Sequence, residues 1–353
     1  MSSLPSFALL LIFVLSAVVI WVAGIKLSDY TDVLAERLHL GEALGGVVLL
    51  AVATNLPEIA ITVSAALSGQ IEIAVGNLLG GIALQTVVLV VLDAFGVRSG
   101  KPLTYMAASL TLVLEAALVI AILTVVVVGS QLPSSLIAFR LTPISVLIVV
   151  FWVVGLKLIS GPGSRLPWTD SGEAPDSQHK PRGHSRTAKE QQATTHHVST
   201  AKAATVFGIA ALLTLVAGVT IERSGETFFG NLGLSGILFG ATVLAAATSL
   251  PELSTGLTAA RSGDYKLAMG DIFGGNAFLP VLFLLVTLIS GKAVLPHAQA
   301  SDIYLTALGA LLTVIYLAGL VFRPQPQILR MGVDSFAVLV LYIIGIVGLI
   351  SLQ

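Results

Sequence analysis

The chain has no cysteine, which excludes disulfides, thiolate metal sites and cysteine nucleophiles. It is also poor in charge: Asp, Glu, Lys and Arg make up 10% of its 353 residues, against about 25% in a soluble domain, and 56% are hydrophobic. No basic residue precedes the first apolar run, Phe7 to Gly24, and no small-residue cleavage pattern marks it, so it reads as a retained span and not a signal peptide. Histidine is missing from every long apolar run, and no Ser/His or Asp/Asp pairing suits hydrolysis. An intramembrane enzyme is therefore disfavoured, and neither a cofactor nor a nucleic-acid partner is implied.

What the chain does have is apolar length. A helix needs about 20 apolar residues to cross the hydrocarbon core. Ten runs qualify: 7 to 24, 43 to 67, 72 to 95, 105 to 129, 140 to 159, 204 to 221, 236 to 260, 266 to 290, 302 to 321 and 334 to 352. The expected fold class is an all-α integral membrane protein of ten transmembrane helices, with one five-helix unit over 1–160 and a second over 203–353. The polar stretch 161–202 between them has too little apolar content to bury a core and reads as a disordered linker. His179, His184, His196 and His197 fall there and could bind a transition metal, but no ligand spacing recurs and a solvated linker is the simpler account. If the N-terminus is outside, fifteen of the 18 Lys and Arg residues face the cytoplasm and three, Arg140, Arg223 and Lys292, do not. That asymmetry predicts a multi-pass protein of the cell (inner) membrane with both termini outside and the linker cytoplasmic. Nothing in the sequence sets an oligomeric state.

One stretch occurs twice: Ala53-Thr54-Asn55-Leu56-Pro57-Glu58 and Ala247-Thr248-Ser249-Leu250-Pro251-Glu252. A shift of 194 residues superposes Gly41 to Val87 on Ser235 to Val281 without a gap, with 19 identities in 47 positions, and Gly24 and Gly218 stay in register. Five spans per copy is an odd number, so the second copy enters the membrane from the opposite side. Inverted repeats of this kind are a transporter architecture, with the substrate site near the midplane where interrupted helices meet. Each proline supplies an interruption, because it has no N–H to offer the carbonyl four residues earlier, that of Ala53 or Ala247.

Freed carbonyls are tolerated at membrane depth only where protein or a water-filled cavity covers them. A carboxylate there costs on the order of 2.5 kcal/mol or more and marks a functional site by default. Glu58 and Glu252 together neutralise a divalent cation, and the carbonyls of Ala53, Thr54, Ala247 and Thr248 could complete an oxygen shell of the kind calcium takes. The side chains of Thr54, Asn55, Thr248 and Ser249 are either further ligands or caps of the second half-helix. The glycines of Gly76-Asn77-Leu78-Leu79-Gly80-Gly81 and Gly270-Asp271-Ile272-Phe273-Gly274-Gly275-Asn276 suit close helix packing. Asn77, Asp271, Gln85 and Asn276 need internal partners, and Asn77 and Asp271 are expected to hydrogen-bond a broken helix. Glu115, whose position shifted by 194 is Gly309, reads as a protonated acid bonded to a neighbouring helix or as a proton relay. Asp93 and Asp302 read as interfacial.

The paired Thr-Asn-Leu-Pro-Glu and Thr-Ser-Leu-Pro-Glu motifs, each with Gly-Asn or Gly-Asp eighteen residues after the Glu, resemble the α-repeats of the calcium/cation antiporter superfamily, nearest its sodium/calcium exchanger branch. The resemblance implies exchange of Ca2+ for Na+ or H+ by alternating access, with Glu58 and Glu252 as calcium ligands joined by the backbone at Thr54 and Thr248. Four positions depart from the family pattern. Asn55 replaces a hydroxyl, Gln85 and Leu279 stand where Asn or Asp is usual, and Ile82 stands where an asparagine would fall. Coupling to H+, or exchange of another divalent cation, is the alternative that these departures leave open. A cation channel with an acidic constriction is a third reading.

Overall fold

The computed structural model describes residues 4–37, 49–98, 100–159 and 199–351. Residues 161–198 of the expected linker lie outside these. Thr200 to Lys202, assigned to the linker by composition, instead form the first turn of a helix whose N-terminus is capped by Ser199, its hydroxyl accepting from the Lys202 amide at 3.3 Å.

Each apolar run is mostly helical where described. In the first half these are α1 (Ser6–Arg37), α2 (Leu49–Thr54), α3 (Leu56–Leu67), α4 (Ile71–Phe95), the short α5 (Leu103–Ala107), α6 (Leu110–Ser130) and α7 (Pro143–Ile159). The second half gives α8 (Thr200–Asn231), α9 (Phe239–Thr248, opening with a π-turn), α10 (Leu250–Ser262), α11 (Tyr265–Ser290, crossing a 3-10 turn at Leu279–Val281), α12 (Ala300–Phe322) and α13 (Val333–Ile350). Seven of them, α1, α4, α6, α8, α11, α12 and α13, are long and apolar enough to span a bilayer by length and composition. The expected second and seventh spans are each divided, two residues before the proline, into two shorter helices.

Helix boundaries repeat with the sequence. Residues 6, 56 and 71 open α1, α3 and α4, and residues 200, 250 and 265, each 194 further on, open α8, α10 and α11. After the fourth helix the offset becomes 190: Leu110 and Pro143 open α6 and α7, and Ala300 and Val333 open α12 and α13. Both final helices follow a tight hairpin whose two central residues have positive φ, Phe139-Arg140 in one half and Leu329-Arg330 in the other.

The halves interlock. α1 packs along α8, and each also crosses the broken helix of the opposite half, α1 against α10 and α8 against α3. The crossings are reciprocal. A Cβ on Gly24 would come within 2.8 Å of Pro251, and one on Gly218 within 3.0 Å of the Pro57 carbonyl oxygen. A bulkier residue at either glycine would push the broken helix away. α4 and α11 form the centre, with 78% and 72% of their most apolar windows buried, against 33% and 28% for α1 and α8. The outer faces of α1, α8, α7 and α13 present Val18, Leu212, Val150 and Val347, among other apolar side chains, to the surroundings. Lipid is the solvent for which such faces are built.

Candidate functional site

Asn55 separates α2 from α3 and Ser249 separates α9 from α10, with backbone angles of φ −85°, ψ 16° and φ −80°, ψ 7°. Neither side chain caps the following half-helix. Asn55 Nδ2 donates back to the Ala51 carbonyl at 2.8 Å, and Ser249 Oγ to the Ala245 carbonyl at 2.8 Å. The Thr54 hydroxyl likewise turns back to the Leu50 carbonyl, and that of Thr248 to the Ala245 carbonyl. Capping, one of the two roles open to these four side chains, is therefore not the one they take. Their bonds satisfy the turn before the break and leave the carbonyls at the break to other partners.

Glu58 and Glu252 open the second half-helices, each one residue after its proline, and both are fully buried. The helix N-terminus favours a negative charge there. Gln85 from α4 joins them. Its Nε2 lies 3.3 Å from Glu252 Oε1, 3.5 Å from Glu58 Oε1 and 3.1 Å from Asn55 Oδ1, so one amide touches both repeats. The Thr248 hydroxyl stands beside Glu58, and that of Thr54 beside Glu252 and Asp271, so each carboxylate meets the break of the opposite repeat.

The helices that follow the breaks hold them in place. Asn77 Nδ2 donates to the Glu58 carbonyl and to Thr62 Oγ1, both at 3.3 Å, and Thr255 Oγ1 donates to Asp271 Oδ2 at 2.7 Å. Asn276 Nδ2 donates to Thr86 Oγ1 at 3.1 Å. Gly275 allows this crowding, since a Cβ there would come within 2.8 Å of Asn55 Nδ2. Ala53 and Ala247 end the first half-helices and are almost wholly buried.

What distinguishes the site is its surplus of acceptors. Glu58 Oε2, Glu252 Oε2, Gln85 Oε1, Asp271 Oδ1 and Asn276 Oδ1 are all buried with no hydrogen-bond partner among the described residues. Buried polar atoms are otherwise almost always paired. Among the described residues no three His, Asp or Glu side chains are grouped as a metal cluster, and the unpartnered acceptors are carboxylate and amide oxygens. Hard cations take such oxygens.

Three residues sit differently from their expected places. Glu115 is buried with Oε2 unpartnered, lying 3.4 Å from where a Cβ on Gly270 would be; the expected bond to a neighbouring helix is not made. Under the 190 offset its repeat partner is Leu305, not Gly309, though neither is an acid. Asp93 and Asp302, read as interfacial, are 1% and 4% exposed. Asp93 pins two backbone amides, those of Leu103 and Gly332, and Asp302 caps its own helix through the Gln299 amide. Helix ends supply buried N–H groups that such acids satisfy, and composition alone does not reveal them.

The profile of the family "Sodium/calcium exchanger protein" matches residues 8–161 and 202–351. Over 298 residues the chain is 26% identical to inner membrane protein YrbG of Escherichia coli (strain K12), covering 84% of this chain and 83% of that one. Among solved structures, the H+/Ca2+ exchanger CAX superposes with a TM-score of 0.67 at 15% identity, covering 96% of this chain and 82% of its own. The sodium-calcium exchanger NCX_Mj superposes with a TM-score of 0.60 at 15% identity, covering 97% and 99%. At that identity the two structures testify to a shared fold.

Proposed function

The chain belongs to the sodium/calcium exchanger protein family, and on that premise we propose that this multi-pass membrane protein is a secondary antiporter that exchanges Ca2+ for Na+ or H+ by alternating access. The cation sits between Glu58 and Glu252. One observation carries this reading: two fully buried carboxylates from opposite repeats, bridged by Gln85, each with an oxygen that no described residue satisfies. Two negative charges match a divalent ion, and an ion between the two broken helices can be released to either side as the repeats rock against each other.

In this reading the other ligands are the carbonyls of Ala53, Thr54, Ala247 and Thr248, with Asn55, Ser249, Asn77, Asp271, Gln85 and Asn276 as supporting polar groups. A half-turn of the Gln85 amide would exchange its donor for an acceptor, so this side chain can tie the carboxylates together without an ion and face the ion when one is bound. Ten membrane crossings in two inverted sets of five, both termini outside and the linker in the cytoplasm complete the topology.

A proton as counter-ion is the second reading. Gln85, Leu279 and Ile82 replace residues that sodium exchangers carry, and the buried carboxylate of Glu115 beside α11 gives a proton a further place to bind. The test is radioactive calcium uptake into liposomes holding the purified protein and loaded with sodium, with acid or with neither. Uptake in one loaded set, lost in Glu58→Gln and Glu252→Gln, is the expected result and names the coupling ion. Uptake that needs no opposing gradient would replace the antiporter with a channel.

A further inference from the structure

A cavity of about 310 Å³ opens between α4, α8, α9 and α12 and is edged by four acids, Glu72, Glu222, Glu226 and Asp302. They are graded by depth. Glu72 and Glu226 are exposed at the rim, while Glu222 and Asp302 are 7% and 4% exposed further in. Asn77 lines the same cavity, and its amide is bonded to the Glu58 carbonyl, so the cavity ends against the framework of the central site. Asp302 Oδ1 lies 3.7 Å from where a Cβ on Gly76, the residue before Asn77, would be.

Packing and capping explain only part of this. Glu72 and Asp302 stand in the first turns of α4 and α12, where acids are favoured. Glu222 and Glu226 have no such reason. They lie one turn apart in the interior of α8, where like charges at this spacing destabilise a helix. Glu222 is 7% exposed, lines the cavity and, among the described residues, receives no hydrogen bond. The neighbouring Arg223 is the one base near it among the described residues, and its guanidinium donates to Ser64 Oγ instead, at 3.4 Å.

The repeat supplies an internal control. Positions equivalent in the other half hold Ser28 for Glu222, Lys266 for Glu72 and Leu112 for Asp302; Glu226 alone meets an acid, Asp32. The same helices therefore assemble without these charges, and the fold does not require them. A carboxylate that lines a cavity and takes no hydrogen bond among the described residues, placed where its structural twin is a serine, is free to take a cation from outside the protein.

We infer that this cavity is a loading site that gathers a divalent cation for the central pair, with Glu222 as its inner ligand, and that it serves one face of the transporter only. The inference rests on the reading of the protein as a calcium antiporter. Acids lining a low-dielectric cleft raise the local concentration of a cation and lose that power as salt screens them. The lysine and arginine distribution puts this face outside the cell.

The test compares initial calcium fluxes in right-side-out and inside-out membrane vesicles, for the full chain and for its Glu222→Gln/Glu226→Gln variant. On the cavity's face the variant should show an apparent KM for Ca2+ raised about tenfold at low ionic strength, with unchanged Vmax and a flattened dependence on salt. On the opposite face KM should not move. The charge-keeping variant Glu222→Asp/Glu226→Asp should retain most of the wild-type KM. An unchanged KM on both faces, an equal rise on both, or a fall in Vmax alone would overturn the loading site. Absence of calcium flux in the unaltered protein would instead remove the antiporter reading itself.

Discussion

Gln85 occupies a position whose loss should be felt by both halves at once. Its single amide holds Glu58, Glu252 and Asn55, and its own carbonyl oxygen is unsatisfied. Gln85→Leu should lower calcium affinity about tenfold or more, because the bound ion then loses the amide oxygen that a turned Gln85 presents to it, a polar contact worth about 1.5 to 3 kcal/mol. Titration of calcium against intrinsic tryptophan fluorescence of the purified protein reads this directly. Glu58→Gln and Glu252→Gln should each abolish exchange while leaving the helical circular dichroism spectrum unchanged, since the carboxamide keeps the shape and removes the charge. Residual calcium transport in either variant at more than a few per cent would exclude that residue as a ligand. Glu58 and Glu252 are legible in the sequence because a carboxylate beside a proline inside an apolar run has no packing explanation. Gln85 is legible only as a polar residue in need of a partner, because the groups it joins lie 30, 27 and 167 residues away.

At the scale of the helix, the two breaks make the site possible. Pro57 and Pro251 each withdraw one donor, and Asn55 and Ser249 turn back to seal the preceding turn. In Pro57→Ala or Pro251→Ala the missing N–H returns and pairs with the carbonyl of Ala53 or Ala247. Each variant should keep or gain thermal stability, measured by fluorescence-monitored unfolding in detergent, while calcium flux falls at least tenfold. The reciprocal glycines give a paired expectation. Gly218→Val and Gly24→Val should destabilise the protein by similar amounts, about 1 to 3 kcal/mol, because each pushes on the proline of the opposite half. If only one of them destabilises, the two crossings are not equivalent. The sequence shows these glycines in register but not what they touch, which depends on α1 and α8 crossing to the other repeat.

For the molecule as a whole, calcium held as proposed between Glu58 and Glu252 would join the two halves and should stabilise them together. Calcium at one hundred times its Kd should add about 2.7 kcal/mol to the stability of the wild type and nothing to the Glu58→Gln/Glu252→Gln variant. Protons bind the same carboxylates that the ion needs, so the ion-bound form is favoured as they come off. Apparent calcium affinity should therefore rise with pH between about 5 and 8 and fall on acidification, measurable by equilibrium binding without any gradient. A flat response would remove proton competition at the central pair and favour sodium as the counter-ion.

The sequence by itself determined that the chain is a helical membrane protein, that its first helices repeat at an offset of 194, and that two Pro-Glu motifs lie at equivalent positions of that repeat. These follow from composition, from periodicity and from the chemistry of single residues, all of which are local. Only the tertiary structure decided that the offset becomes 190 after the fourth helix, since a change in connecting length leaves no mark in an apolar pattern. It alone placed one amide between two glutamates from opposite halves, left their outer oxygens unsatisfied, and gathered Glu72, Glu222, Glu226 and Asp302 around one cavity. Those arrangements rest on contacts between residues far apart in the chain, and they exist only once the two repeats have packed through each other.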